Sequence, residues 1–297
     1  MDKLVEHYGI VVGESTIRQV TLHHAQAIHH TSGGFPQGLP DAVAPQQTFV
    51  AEIDGTMVPT VRNATDGADR RKGKSVQWQE AKVSLALAQG STELVYEATL
   101  LGDVDTAGRQ MRACAKRAGF GKGHRVHGVG DGAPWIATQM LQRFGSQGSY
   151  LLDFYHVCDY LSAAAKAIEP LPAAGQQWQK TQQDRLRTDQ LDDAVLNALQ
   201  PHLEPAGGED ALAPVRQCHR YLSQRLQQLD YKSAIDQGLP IGSGEIENAH
   251  RYIVQKRLKL PGTWWLAANA DHMLALRVNR ANGEWNDYWA TSYRYAA

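Results

Sequence analysis

No stretch of this chain approaches the roughly 18–20 consecutive apolar residues that a membrane-spanning helix needs, which excludes a helical span. The opening residues, MDKLVEHYGIVVGEST, lack a basic-then-apolar pattern, so no secretion signal is expected and the protein reads as cytoplasmic. Cysteine is scarce. Cys114, Cys158 and Cys218 are odd in number, far apart and in no CxxC pair, which speaks against a disulfide frame and for reduced thiols. Net positive charge is absent too: the formal charge is −1 over 297 residues, so bulk electrostatics does not mark a nucleic-acid binder. No internal repeat occurs.

What is present is ordinary globular composition, 42% hydrophobic and 21% charged, with length enough for one or two domains. The cations are clustered: Arg70, Arg71, Lys72 and Lys74; Lys116, Arg117, Lys122 and Arg125; Lys256, Arg257 and Lys259. Acidic residues gather elsewhere, around Asp184 to Asp193. The simplest account of such clusters is solvated faces and loops.

Periodicity predicts helix over much of residues 1–31 and a proline-rich linker at 36–45. A strand, TFVAEID, follows and ends at Asp54. A polar basic loop at 62–75 leads to VQWQEAKVSLALAQ and its hairpin partner ELVYEATLL. Alternating units come next: helix DVDTAGRQMRACAKRAG, strand RVHGVGDG ending at Asp131, and helix PWIATQMLQRF with proline at its first position. Strand SYLLD ends at Asp153 and helix FYHVCDYLSAAAKAI follows. Antiparallel strands ahead of alternating units favour an α/β fold with a mixed sheet and helices on its faces. Residues 173–238 are glutamine-rich and amphipathic without strand signals, an all-helical insert. Residues 244–282 return to helix, broken by LPGTWW.

Asp54, Asp131 and either Glu245 or Glu247 stand out by position. Strand ends in a partly parallel sheet are where side chains converge on a ligand. Hard cations are held by a few carboxylates from rigid elements, and two such ions activate an attacking oxygen and stabilise a leaving one. The alternative is purely structural: aspartates after strands start turns, and glutamates in a first helical turn suit the helix dipole. A capping box fits poorly, because the third residue after Ser243 is Ile246. The histidines His23, His24, His29 and His30 lack cysteines or carboxylates at a recognised zinc spacing and read as surface residues.

Four segments in order, TFVAEIDGTMVPT, GVGDGAPWI, LLDFYHVCDYL and IGSGEIENAHRYIVQKRLKLPGTWW, resemble the catalytic domain of ISKra-type insertion-sequence transposases. That group is similar to the wider Mutator-like DDE transposases. The resemblance runs over about residues 8–290. It implies an RNase-H-like mixed five-stranded sheet flanked by helices, with an all-α insertion before the last catalytic helix. The domains then run 1–45 (helical remnant and linker), 46–168 (first part of the core), 169–240 (insertion) and 241–297 (C-terminal helices).

The resemblance also implies a catalytic, metal-binding triad of Asp54, Asp131 and Glu247. Gly242, Ser243, Gly244, Glu245, Ile246 and Glu247 match the family's G-S-G-x-V-E, which favours Glu247 over Glu245. Two Mg²⁺ or Mn²⁺ ions are implied, one shared by Asp54 and Asp131, the other held by Asp54 with Glu247. The implied activity is hydrolysis and then transesterification of DNA phosphodiesters. The partners are element ends and target DNA, and the active form is a homodimer or larger assembly, with no membrane.

Asp153 and His156 match the family's D-x-x-H and are expected to steady the site or touch DNA, or to hydrogen-bond locally. Arg251, one helical turn after Glu247, is expected to orient the carboxylate, to touch a phosphate, or to form an i, i+4 pair. Arg70, Arg71, Lys72, Lys74, Lys256, Arg257 and Lys259 are candidate DNA contacts. Trp264 is a candidate stacking platform, although a tryptophan pair such as Trp264–Trp265 is more often core. Family members carry a DNA-binding region ahead of the core. STIRQVTLHHAQAI reads as its remnant, which makes the chain a truncated copy or the catalytic part alone. Two other readings stay open: an RNase-H-like nuclease without strand transfer, and an inactive remnant that only binds DNA.

Overall fold

The computed structural model describes residues 2–31, 38–41, 47–63, 74–203 and 213–296. It is an α/β protein with a five-stranded mixed sheet flanked by helices. The strands are β1 (Thr48–Asn63), β2 (Lys74–Ala88), β3 (Val95–Thr99), β4 (Arg125–Gly130) and β5 (Gly148–Leu152), in the order β3-β2-β1-β4-β5. β2 and β3 pair antiparallel, whereas β1–β4 and β4–β5 are parallel. Helices α1 (Asp2–Tyr8) and α2 (Glu14–Thr31) precede the sheet; α3 (Val104–Arg117), α4 (Pro134–Phe144) and α5 (Phe154–Ile168) alternate with its strands. Helices α6 (Pro172–Arg187), α7 (Asn197–Leu199), α8 (Ala213–Ser223) and α9 (Tyr231–Asp236) follow without a strand among the described residues. Last come α10 (Gly244–Ala249), a π-helical segment His250–Gln255, α11 (Lys256–Leu258), α12 (Ala267–Ala281) and α13 (Trp285–Ala296).

The chain divides into two compact units. The first comprises Met1–Val43, Ile53–Lys122 and Glu245–Ala297; the second comprises Ala44–Glu52 and Gly123–Gly244. In the first, Val58, Ala81, Val83 and Leu85 of the strands pack against Ile246, Ile253, Leu258 and Leu274 of the C-terminal helices. β2 is buried on both faces over its second half, which explains why polar–apolar alternation fades there into SLALA. On its other face the hydroxyl of Ser84 donates to Ala107 O of α3 at 3.0 Å, so the one polar side chain in the run is satisfied.

In the second unit the core centres on α5. Phe154, Val157, Leu161 and Ala164 meet Leu186, Val195, Leu199, Val215, Leu222 and Tyr231, while Leu151 and Leu152 reach it from β5. The helix buries Phe154, Val157, Leu161, Ala164 and Ala165 and leaves Tyr155, Asp159, Ala163 and Lys166 exposed, the one-sided pattern of an amphipathic helix. The three cysteines are free thiols, Cys114 and Cys218 buried and Cys158 half-buried. Burial lifts the Cys218 thiol to about 12 and Cys158 to about 11, leaving both protonated near neutral pH.

The first strand is longer than the sequence pattern predicts. β1 does not stop at Asp54 but runs to Asn63, because Thr56, Val58, Thr60 and Val61 supply β-branched side chains beyond the disguising Gly55 and Pro59. What ends near Asp54 is a ladder. The parallel pairing of β1 with β4 runs from Thr48↔Arg125 to Glu52↔Val129.

Candidate carboxylate site

In the first unit Asp54 lies on β1 with its side chain 35% exposed, and His250 Nε2 approaches its Oδ2 at 3.1 Å. His250 is buried and opens the π-helical segment that follows α10. This contact ties the strand of Asp54 to the helix of Glu245 and Glu247. π segments of this kind re-aim a side chain within a helix. Near 3.6 residues per turn, Glu247 stands about 60° around the helix from His250 and Glu245 about 140°. Glu245 faces elsewhere: on β3 the Tyr96 hydroxyl is pushed above its ordinary value by burial first, then by the charge of Glu245 and by Tyr252. Both glutamates are exposed at the helix start, and by helical spacing Glu247 is the nearer of the two in angle to His250.

Lys259 reaches the same strand, donating from Nζ to Thr56 Oγ1 at 2.7 Å. Thr56 stands two residues from Asp54 and therefore on the same face of β1. Arg251 lies exposed in the π segment. Lys256 sits over the Tyr252 ring at 5.5 Å and Arg257 over Trp265 at 5.1 Å. The tryptophan pair divides. Trp265 packs on the core and its carbonyl accepts from Val61 N at 2.8 Å, whereas Trp264 is 56% exposed. Arg18, Lys74, Arg257, Trp264 and Asn269 line a groove of about 730 Å³ in this unit. Arg70, Arg71 and Lys72 lie outside the described residues.

In the second unit Asp131 follows β4 and is exposed. Its Oδ1 accepts from Ala133 N at 2.9 Å, an Asx turn that leaves the rest of the carboxylate to solvent. The loop is fixed through its backbone. The Tyr221 hydroxyl donates to Asp131 O at 2.8 Å, Arg225 donates to Gly132 O at 3.3 Å, and Gly132 N donates to the Tyr150 hydroxyl at 3.1 Å. Gly132 has φ +87°, and a Cβ there would sit 2.5 Å from the Tyr221 hydroxyl, so both conformation and space demand glycine. Tyr221 is itself stacked on Tyr160, with centroids 4.1 Å apart.

Asp153 is buried in the second unit and spends its carboxylate on backbone. Oδ1 caps α5 by accepting from Tyr155 N at 2.7 Å and His156 N at 3.0 Å. Oδ2 takes Ser243 N at 2.7 Å and the Ser243 hydroxyl. The serine between the two glycines is thus anchored directly before α10. A Cβ at Gly242 would sit 2.6 Å from the Tyr155 ring, so a side chain there would have to displace that exposed ring. The His156 ring lies edge-on to Tyr160 and Tyr221, with centroids at 5.6 and 6.1 Å.

Sequence reasoning missed His250, Tyr221 and Arg225. For His250 a signal existed, since the residue lies one turn beyond Glu247. For Tyr221 and Arg225 none existed, because their partners lie about ninety residues away.

No family model and no curated protein matches the chain. Among solved structures, NurA with manganese is 11% identical with a TM-score of 0.16, covering 91% of this chain and 65% of that one. The chain therefore spans less than two thirds of that protein's length, and so slight a likeness does not bear on fold or function. No helix among the described residues is long and apolar enough to cross a membrane.

Proposed function

We propose that this chain is the catalytic part of a DDE transposase, with an RNase-H-like sheet and with helices α6–α9 as the all-α insertion before the helix of Glu247. The observation that supports the reading best is the hydrogen bond from His250 to Asp54, which joins a strand-borne aspartate to the helical stretch that carries Glu247 one turn earlier.

The donor chemistry fits a hard divalent cation. Asp54 is half-buried, Asp131 and Glu247 are exposed, and each offers at least one carboxylate oxygen from a rigid element or turn. When bound, two Mg²⁺ or Mn²⁺ ions supply charge stabilisation to the phosphodiester and activate the attacking oxygen. The chain's own residues orient these donors. His250 holds Asp54 by Oδ2 and leaves Oδ1 available, and the Asx turn does the same for Asp131. Lys259, Arg257, Lys74 and the exposed Trp264 suit a DNA backbone and an unpaired base.

The test is product analysis. The full chain is incubated with Mg²⁺ or Mn²⁺ and a labelled plasmid bearing the DNA that flanks its own gene. Cleavage followed by joining to a second DNA supports the transposase reading. Cleavage without joining assigns the chain to the nuclease class. Binding with no cleavage under either metal sinks the catalytic reading.

A further inference from the structure

Three imidazoles meet in the first unit, between α2 and α12. His29 and His30 close α2, and His272 lies near the start of α12. One ring nitrogen from each lies within 4.8 Å of the others. The rings do not stack: His29 and His272 have centroids 4.9 Å apart and are tilted by 54°, and His30 stands at 90° to His272 with centroids at 6.3 Å. Tilted rings are able to turn nitrogen-bearing edges toward one point.

Behind His29 stands a carboxylate. Asp271 Oδ2 holds His29 Nε2 at 3.1 Å. Asp271 is itself buried and fixed, its Oδ1 accepting from Leu100 N at 2.7 Å and the Thr99 hydroxyl at 3.2 Å. With Nε2 occupied, Nδ1 is the His29 nitrogen left with a lone pair. It is buried and has no hydrogen-bond partner. An unsatisfied buried polar atom costs about 1–3 kcal/mol, so this arrangement calls for a partner at Nδ1. A carboxylate behind a histidine is the usual outer support of a metal-bound imidazole, fixing its tautomer and raising its basicity.

We propose that His29, His30 and His272 bind one borderline divalent transition ion, Zn²⁺ above all, with Asp271 supporting His29 and water completing the coordination. Three neutral nitrogens select zinc, cobalt, nickel or copper over magnesium and manganese, which prefer oxygen. The site is therefore chemically separate from the carboxylates proposed for catalysis. Its ligands come from two distant parts of the chain, so the ion is a clip that pins α2 to α12. Those two helices also contribute Arg18 and Asn269 to the groove of basic residues and Trp264. His23 is exposed, and His24 bonds Tyr288 at 2.6 Å, so neither joins the cluster.

The experiment uses the full untagged chain, stripped with chelator and titrated with Zn²⁺ by calorimetry and with Co²⁺ by absorption. One equivalent per chain, a tetrahedral cobalt spectrum and a higher melting temperature with Zn²⁺ are expected. His30→Ala and His272→Gln each weaken binding at least about tenfold, whereas His23→Ala, on the same helix, changes nothing. Asp54→Asn retains the full equivalent. The proposal is overturned by sub-stoichiometric binding, by binding that survives the double variant His30→Ala/His272→Gln, or by loss of binding in Asp54→Asn.

Discussion

Asp54 in the first unit is gripped by its side chain, through His250; Asp131 in the second rides on a loop gripped by its backbone, through Tyr221 and Arg225. The first arrangement fixes where carboxylate oxygens point. The second fixes where the chain runs and leaves the carboxylate to its own Asx turn. A third carboxylate, Asp153 in the second unit, is buried and has given both oxygens to backbone and serine. Three aspartates that look alike at strand ends in the sequence therefore divide into one oriented, one carried and one consumed. Only the first two leave a carboxylate oxygen uncommitted to the hydrogen bonds described above.

The largest effect that tests this division is on activity. Asp54→Asn, Asp131→Asn and Glu247→Gln should each lower metal-dependent DNA cleavage by about 10³-fold or more, equivalent to roughly 4 kcal/mol of barrier. Glu245→Gln, on the side that faces Tyr96, should stay within about threefold. A Glu245→Gln variant that is dead, beside an active Glu247→Gln, would reassign the third ligand and keep the reaction.

Stability should run the other way. Asp153→Ala loses a helix cap and leaves Ser243 unpaired, at a cost of about 3 kcal/mol by urea titration. Asp54→Ala, with one hydrogen bond at a half-exposed group, should cost less than about 1 kcal/mol. Equal losses in the two variants would break the distinction between consumed and available carboxylates.

Much of this was legible in the sequence. The strands, the α3–α5 helices and the stretch before α10, which holds no strand among its described residues, follow from periodicity and proline and glycine punctuation, since each element buries a face locally. The end of β1 was not legible, because Gly55 and Pro59 read as a stop while the strand continues on its β-branched residues. Asp54, Asp131 and Glu247 could be picked out as candidates by position and resemblance. Their holders could not, with the exception of His250 one turn beyond Glu247. Tyr221 meets Asp131 across ninety residues, and His272 meets His30 across most of the chain. Local spacing carries no record of partners that only tertiary packing brings together.

The two kinds of grip can be compared directly. His250→Ala frees the Asp54 carboxylate to rotate and should lower the cleavage rate by about 10- to 100-fold with DNA affinity retained. Tyr221→Phe removes one bond to the Asp131 backbone, about 1 kcal/mol, and should lower it by about fivefold. If the two losses are equal, orientation by side chain has no advantage over placement by backbone. A smaller loss for His250→Ala than for Tyr221→Phe would reverse the assignment of roles.

The smallest expected effect concerns a carboxylate of the first unit that serves no site. Glu97 on β3 is pushed from 4.5 to about 7, by burial first. Arg117 opposes the shift at 3.0 Å but is shared with Glu284, whose charge adds to it. Folding therefore favours the protonated acid. Below the unfolded value both states are protonated and Glu97 is neutral in its effect. Between 4.5 and about 7 the unfolded state gives up the proton that the folded state keeps, so stability falls across that window and levels off once the buried carboxyl has ionised too. Glu97→Gln keeps the shape without the charge, so it should stabilise the protein by about 1 kcal/mol at about pH 8 and by almost nothing at about pH 4. Thermal melts at the two pH values check this. Destabilisation at the higher pH would mean that the Arg117 bond outweighs the burial of Glu97, so that this carboxylate, like Asp153, is consumed by its partner.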